Sequence, residues 1–160
     1  MTTTAAPVPA PPVVPGLVRR YYRVALPAGM TLLNANSRKH NKAKMRDVQA
    51  LRDAATLTAL GDSSLNRAIR SAKPEPVLER AWIFGVVHSP RNIRLDPTNY
   101  YPSFKAAVDG IVRAGVISDD DDKHVLGPDM RRGPRTPGWQ IVLHIYEAYP
   151  ADWYDAEVAA

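Results

Sequence analysis

The chain has 160 residues, a net charge of +5, a pI near 9.6, fifteen prolines and no cysteine. That length suits one domain with extensions and a real core, and the basic balance favours polyanionic partners. Disulfides, thiolate catalysis and cysteine-bound zinc are excluded, which fits a reducing cytoplasm; no apolar run approaches a membrane span, and no leader pattern opens the chain.

Residues 1–16 (MTTTAAPVPAPPVVPG) are small residues and prolines. Proline lacks the amide donor that strands and helix interiors need, so this segment reads as a disordered, polyproline-like arm outside the core. In Leu17–Leu26, Tyr22, Val24 and Leu26 alternate on one face of a strand that Pro27 and Gly29 end. Thr31–Asn41 reads as a loop with Asn34 and Asn36 as turn formers. Met45, Val48, Leu51 and Ala55 then recur at helical steps, predicting a helix over Lys42–Leu60 with Gly61 as its stop. Asp62–Pro76 is polar, with a short helical turn around Leu65–Ile69 and then a linker.

Val77–His88 reads as a strand covered on both faces, with Trp82, Phe84 and Val86 on one and Ile83 and Val87 on the other. Asp96–Tyr101 forms a separate turn, because Pro102 belongs near the start of the next helix and not in its interior. In that helix Phe104, Ala107, Val108 and Ile111 face inward, Lys105, Asp109 and Arg113 make a polar stripe, and Gly115 caps. His124–Leu126 reads as a short strand, 127–138 as a basic loop, and Trp139–Tyr146 as a final strand. The expected architecture is α+β (mixed α/β): a mixed sheet of about four strands with two main helices, in the order β-α-β-α-β-β, with strand 77–88, helix 102–115 and the strand near 122–126 as a parallel crossover. The domain spans 17–147, with residues 148–160 as a tail.

The chemistry concentrates between Arg94 and Val125. Four consecutive aspartates, Asp119–Asp122, repel one another unless a hard divalent cation or bulk water relieves them. A solvated acidic turn is the plain alternative to a metal site. Asp96, with Thr98 and Asn99 close by, offers further oxygen ligands; it equally reads as a helix N-cap. Lys105 and Asp109 form either a surface ion pair or part of a site. Cations cluster at Arg38, Lys39, Lys42, Lys44 and Arg46, at Arg91 and Arg94 beside Asp96, and at Arg131, Arg132 and Arg135. Such groups suit phosphate contact, and a bound Mg²⁺ lets carboxylates sit on a DNA-directed surface without repelling it. His124 follows the aspartates and is a candidate base.

Asp96, Asn99, Lys105, Asp109, Ala114-Gly115 and Asp119-Asp120 together resemble the RusA family of Holliday junction resolvases, found in bacteria and their phages. That family carries an Asp-x-Asp-Asn turn, a lysine, an aspartate one turn on, an Ala-Gly and an Asp-Asp pair. The Leu26-Pro27 strand end, the Asn34/Asn36 loop and the basic helix start at Arg38 are also similar, so the resemblance covers about residues 20–147. Thr98 replaces the family's second aspartate, and three residues are inserted before Lys105. Asp96 therefore matches either acid of the pair, with Asn99, Thr98, Asp121 or Asp122 completing the shell. The resemblance implies a homodimeric endodeoxyribonuclease of phage or prophage type that nicks branched DNA in the bacterial cytoplasm. It implies Asp96, Lys105, Asp119 and Asp120 as catalytic residues. Mg²⁺, or Mn²⁺ in its place, would sit on Asp96, Asn99, Asp119 and Asp120.

Overall fold

Alternating apolar residues build one sheet. Tyr21–Ala25 (β1), Ala81–His88 (β2), Val125–Arg132 (β3) and Gln140–Glu147 (β4) lie in the order β1-β4-β2-β3. The computed structural model describes residues 7–38 and 40–152; Lys39, residues 1–6 and residues 153–160 lie outside the described residues. β2 and β3 run parallel, while β4 is antiparallel to both β1 and β2. A parallel pair needs a crossover, and the helix Tyr101–Ala114 (α3) supplies it. With Asn41–Gly61 (α1) and Ser63–Ala72 (α2), the described residues form an α+β fold with a mixed four-stranded sheet and three helices.

The helices cover one face. Ile83, Val87, Ile141, Leu143 and Ile145 are fully buried there with Leu51, Phe104 and Ile111. Gly85 fixes the approach: a Cβ on it would fall 2.3 Å from the Phe104 ring, so the missing side chain is what lets α3 press onto β2. On the other face, strand pairing sets Trp82, Phe84 and Val86 beside Tyr146, His144 and Val142. Phe84, Val86 and Val142 are buried even though no helix among the described residues lies over them. Pro7–Ala10 line the same groove, of about 600 Å³, as these side chains, and Pro11 of the arm is itself buried. At the other end of the domain, Arg19 makes two 2.7 Å bonds to Asp152 and lies over the Tyr149 ring, so the ordered body runs past Glu147.

Four expectations need correction. Met45 is 71% exposed although its direction on the helix falls between those of the buried Ala59 and Thr56, because it lies in the first turns of α1, ahead of the buried stretch that begins at Leu51. Gly61 does not stop α1 in a left-handed turn. Asp62 ends the helix instead, its amide donating to the Thr58 carbonyl while its Oδ1 accepts from Leu65 N at 2.8 Å and caps α2. That shared cap makes 63–72 a full helix with Leu65 and Ile69 buried. Finally, Arg131 and Arg132 belong to a strand and not to a loop: β3 continues through Pro128, which an edge strand tolerates since its lost amide needs no ladder partner.

Candidate active site

Asp96 caps the 3-10 turn Pro97–Tyr100, its Oδ1 accepting from Thr98 N at 3.0 Å and from the Thr98 hydroxyl at 2.7 Å. Pro102 then lies in the first turn of α3, where no amide is needed. The Asn34 loop docks here. Ala35 N donates to Asn99 O at 2.7 Å, and Leu33 exchanges two bonds with the buried Ser103 hydroxyl, at 2.6 and 2.9 Å. The loop that leads into the basic start of α1 is thereby fixed to the turn that carries Asp96.

At the far end of α3, Gly115 takes φ 89°, the left-handed cap that reverses the chain. Val77 N and Leu78 N donate to the Gly115 and Val116 carbonyls, and Val116 and Ile117 are buried. The aspartates follow from this anchor. Asp119 Oδ1 accepts from Asp120 N at 2.8 Å. Asp121 Oδ1 accepts from Lys123 N and His124 N, and lies 2.5 Å from His124 Nδ1. The His124 contact, chiefly, holds the Asp121 carboxyl below its usual range. Two of the four carboxylates therefore shape the turn itself.

Asp120 turns back to α3. Its Oδ2 meets Lys105 Nζ, which also donates to Asp109 Oδ1 at 2.6 Å. The second oxygen of Asp109 accepts from Arg52 Nη2 of α1 at 2.8 Å. Two cations and two carboxylates thus alternate in a chain, Arg52–Asp109–Lys105–Asp120. Burial opposes the charge on Asp109, but the Lys105 and Arg52 hydrogen bonds outweigh it and leave this carboxyl below its ordinary range. Burial likewise opposes the charge on Lys105, and its bonds to Asp109 and Asp120 leave it above the usual lysine value.

The seam between α1 and α3 is close at this point. A Cβ on Gly110 would fall 2.4 Å from the Arg52 carbonyl oxygen and 2.6 Å from the Ala55 Cβ. Thr56 Oγ1 lies 2.9 Å from Gly110 O and accepts from Arg113 Nε at 3.0 Å, and Arg113 pairs with Asp53 at 2.6 Å. Arg52 was not among the candidates from sequence. Its position beside Leu51, on the flank of the buried stripe, was readable; its partner 57 residues away was not.

The expected DNA-contacting cations separate into two places. Arg91 and Arg94 are exposed in the loop after β2, and the exposed Arg132 of β3 reaches Asn92 in that loop at 3.5 Å. Arg131 is exposed and pairs loosely with Asp129 at 3.3 Å. These four gather at the end of the parallel strands from which the Asp96 turn departs. Arg38, Lys42, Lys44 and Arg46 run from the Asn34 loop onto α1, exposed apart from the half-buried Lys44, while Lys39 is outside the described residues. His124 is committed to Asp121 through Nδ1.

A metal would find oxygen donors only: Asp96, Asn99 and Thr98 from the turn, Asp119 and Asp120 from the loop. Asp96 and Asp119 each use Oδ1 in the bonds above, while their Oδ2 atoms make no hydrogen bond among the described residues. This donor chemistry fits a hard cation. Asp120, by contrast, is held by an ammonium group that stands where added positive charge would go. No group of three or more acidic or histidine side chains placed to hold a metal occurs among the described residues. No helix in these residues is long and apolar enough to cross a membrane. No protein-family model matches this chain, and no curated protein matches it.

Proposed function

We propose that this protein is a Mg²⁺-dependent endodeoxyribonuclease of RusA type that nicks branched DNA, four-way junctions above all, in recombination and repair. The observation that carries the reading is the Lys105–Asp120 contact across fifteen residues of sequence, with Asp109 as the shared neighbour. The three residues at the best-matched spacing of the resemblance meet in space, although nothing in a surface ion pair of α3 alone would require Asp120 to come back to it.

In this reading Asp96, Asn99, Asp119 and Asp120 hold the cation, Mg²⁺ or Mn²⁺. When bound, such an ion polarises the scissile phosphate and makes water a better nucleophile. The side chains do the rest. Lys105, leaving Asp120, sets an ammonium charge against the phosphate oxygens and offsets charge that builds up during in-line attack. Arg91, Arg94, Arg131 and Arg132 bind the backbone on one side, and Arg38, Lys39, Lys42, Lys44 and Arg46 on another, fixing register without reading sequence. Paired nicks in opposed strands need two sites, which a symmetric homodimer supplies. A host-cell cytoplasm is the matching compartment.

A second reading has its own support. Thr98 donates to Asp96 where the family carries a carboxylate, so the turn holds one acid fewer and the protein binds junctions without cutting. Purified protein, a synthetic four-way junction and Mg²⁺ decide between them. We expect symmetric nicks that Asp120→Asn abolishes while junction binding stays within about twofold. Tight binding with no nicks by the wild type gives the case to the second reading, and neither binding nor nicks removes both.

A further inference from the structure

We infer that Arg52 is a positioning residue for Lys105, acting through Asp109; this rests on the nuclease reading of the same site. Lys105 hangs on a flexible four-carbon stem and is nearly half exposed. An i,i+4 pair on a helix surface is a weak tether for so long a side chain. Two further groups set where the ammonium sits: Asp120, which meets it from the loop, and whatever fixes Asp109 itself. Arg52 fixes Asp109 from the neighbouring helix. Its planar guanidinium takes Asp109 Oδ2 at 2.8 Å, which turns Oδ1 toward Lys105 at 2.6 Å.

The backbone on both sides is set for this. Gly110, next to Asp109, lets the Arg52 carbonyl approach to within what would be 2.4 Å of a Cβ, and Thr56 Oγ1 sits 3.0 Å from the Arg52 carbonyl and 2.9 Å from that of Gly110. Arg52 and Asp109 therefore face each other where the two helices come close. Arg52 Nε is buried there with no hydrogen-bond partner among the described residues, so only the outer nitrogens of the group are available for pairing. Charge points the same way. Because Arg52 shares the Asp109 carboxylate, that single negative charge is divided between two cations, and the Lys105 ammonium can also serve a second anionic oxygen, as it does Asp120. A salt bridge serving stability alone would leave Lys105 indifferent to Arg52.

The test is a mutant cycle on folded protein. Arg52→Gln is expected to lower single-turnover junction cleavage by about tenfold to a hundredfold, as misplacing a reacting group does, with junction affinity within about twofold of wild type. Arg52→Lys should recover part of the rate, and in an Asp109→Asn background Arg52→Gln should change nothing further. A folded Arg52→Gln protein that cleaves like wild type overturns the inference, as does a defect that persists undiminished without Asp109. If Arg52→Gln does not fold, Arg52→Lys carries the comparison. A second readout is independent of cleavage: the side-chain ¹⁵N ammonium signal of Lys105, assigned by its loss in Lys105→Met. It should be sharp in wild type and broadened in Arg52→Gln. An unchanged signal overturns the role of Arg52, whereas a wild type that cuts no junction, with the signal responding as expected, overturns the nuclease reading alone.

Discussion

Gly110→Ala offers the sharpest check on the α1–α3 seam. The added methyl would lie 2.4 Å from the Arg52 carbonyl oxygen and 2.6 Å from the Ala55 Cβ, where ordinary contact begins near 3.4 Å. Both obstacles are backbone or the first atom of a side chain, so no rotamer change relieves them, and α1 has to move back by about 1 Å. Overpacking of this kind costs about 1–3 kcal/mol. The withdrawal also stretches the 2.9 Å Thr56–Gly110 contact, which is worth about 1 kcal/mol. Alanine's helix preference over glycine returns about 1 kcal/mol. The net is a destabilisation of about 2 kcal/mol, or a midpoint lower by about 4–8 °C for a chain of this size. Thermal unfolding followed by circular dichroism measures it, with Gly61→Ala as the control. Gly61 has no atom within 4 Å of a built Cβ, so that variant should melt at or slightly above the wild-type temperature. A Gly110→Ala protein as stable as wild type would refute the seam as described.

Two further outcomes are expected. Lys105→Met should bind Mn²⁺ about tenfold more tightly than wild type, from roughly 1.5 kcal/mol of repulsion removed when a unit charge about 5 Å from a divalent ion is deleted at the dielectric of water. Calorimetric titration reads this directly, and equal affinities would show that Lys105 and a cation do not compete for Asp120. For His144, burial, reinforced by Arg23 and His88, lowers the ring's pKa from 6.5 to about 4, while Tyr21 Oη lies 2.8 Å from Nδ1. The unfolded chain therefore binds the extra proton between these pH values; this stability is complete above about pH 6.5 and is lost as pH falls toward 4. Urea midpoints across that window should rise with pH in wild type and rise less steeply in His144→Gln; parallel curves would sink the assignment.

Much of the site was legible because its constraints are local. Pro102 can stand only in a first turn, Gly115 reverses the chain at φ 89°, and Phe104, Ala107, Val108 and Ile111 share one helix face, so the sequence placed Lys105 and Asp109 on the opposite stripe. Strand alternation placed Ile141, Leu143 and Ile145 equally well. What stayed hidden depends on packing between distant segments. Nothing in residues 41–61 tells which turn of α1 will cross α3, so neither Arg52's partner nor the exposure of Met45 could be read there. The return of Asp120 to Lys105 is also non-local, since it depends on the buried anchor of Val116 and Ile117 as well as on the turn that Asp119 and Asp121 shape. Asp62 misled for a different reason. A polar residue between two helical patterns looks like a linker, yet one side chain and one amide serve both helix ends.

Among the described residues the sheet order leaves β3 at an edge, paired with β2 alone, and that edge carries Pro128, Arg131 and Arg132. A strand with one open side is a template for adding another strand, and proline and positive charge are the usual means of preventing it. The two arginines proposed to grip DNA therefore also keep the protein from stacking edge to edge with itself. Variants that neutralise them remove a solubility guard along with a phosphate contact. Sedimentation of such variants has to accompany any DNA-binding measurement, since self-association would mimic a lost grip.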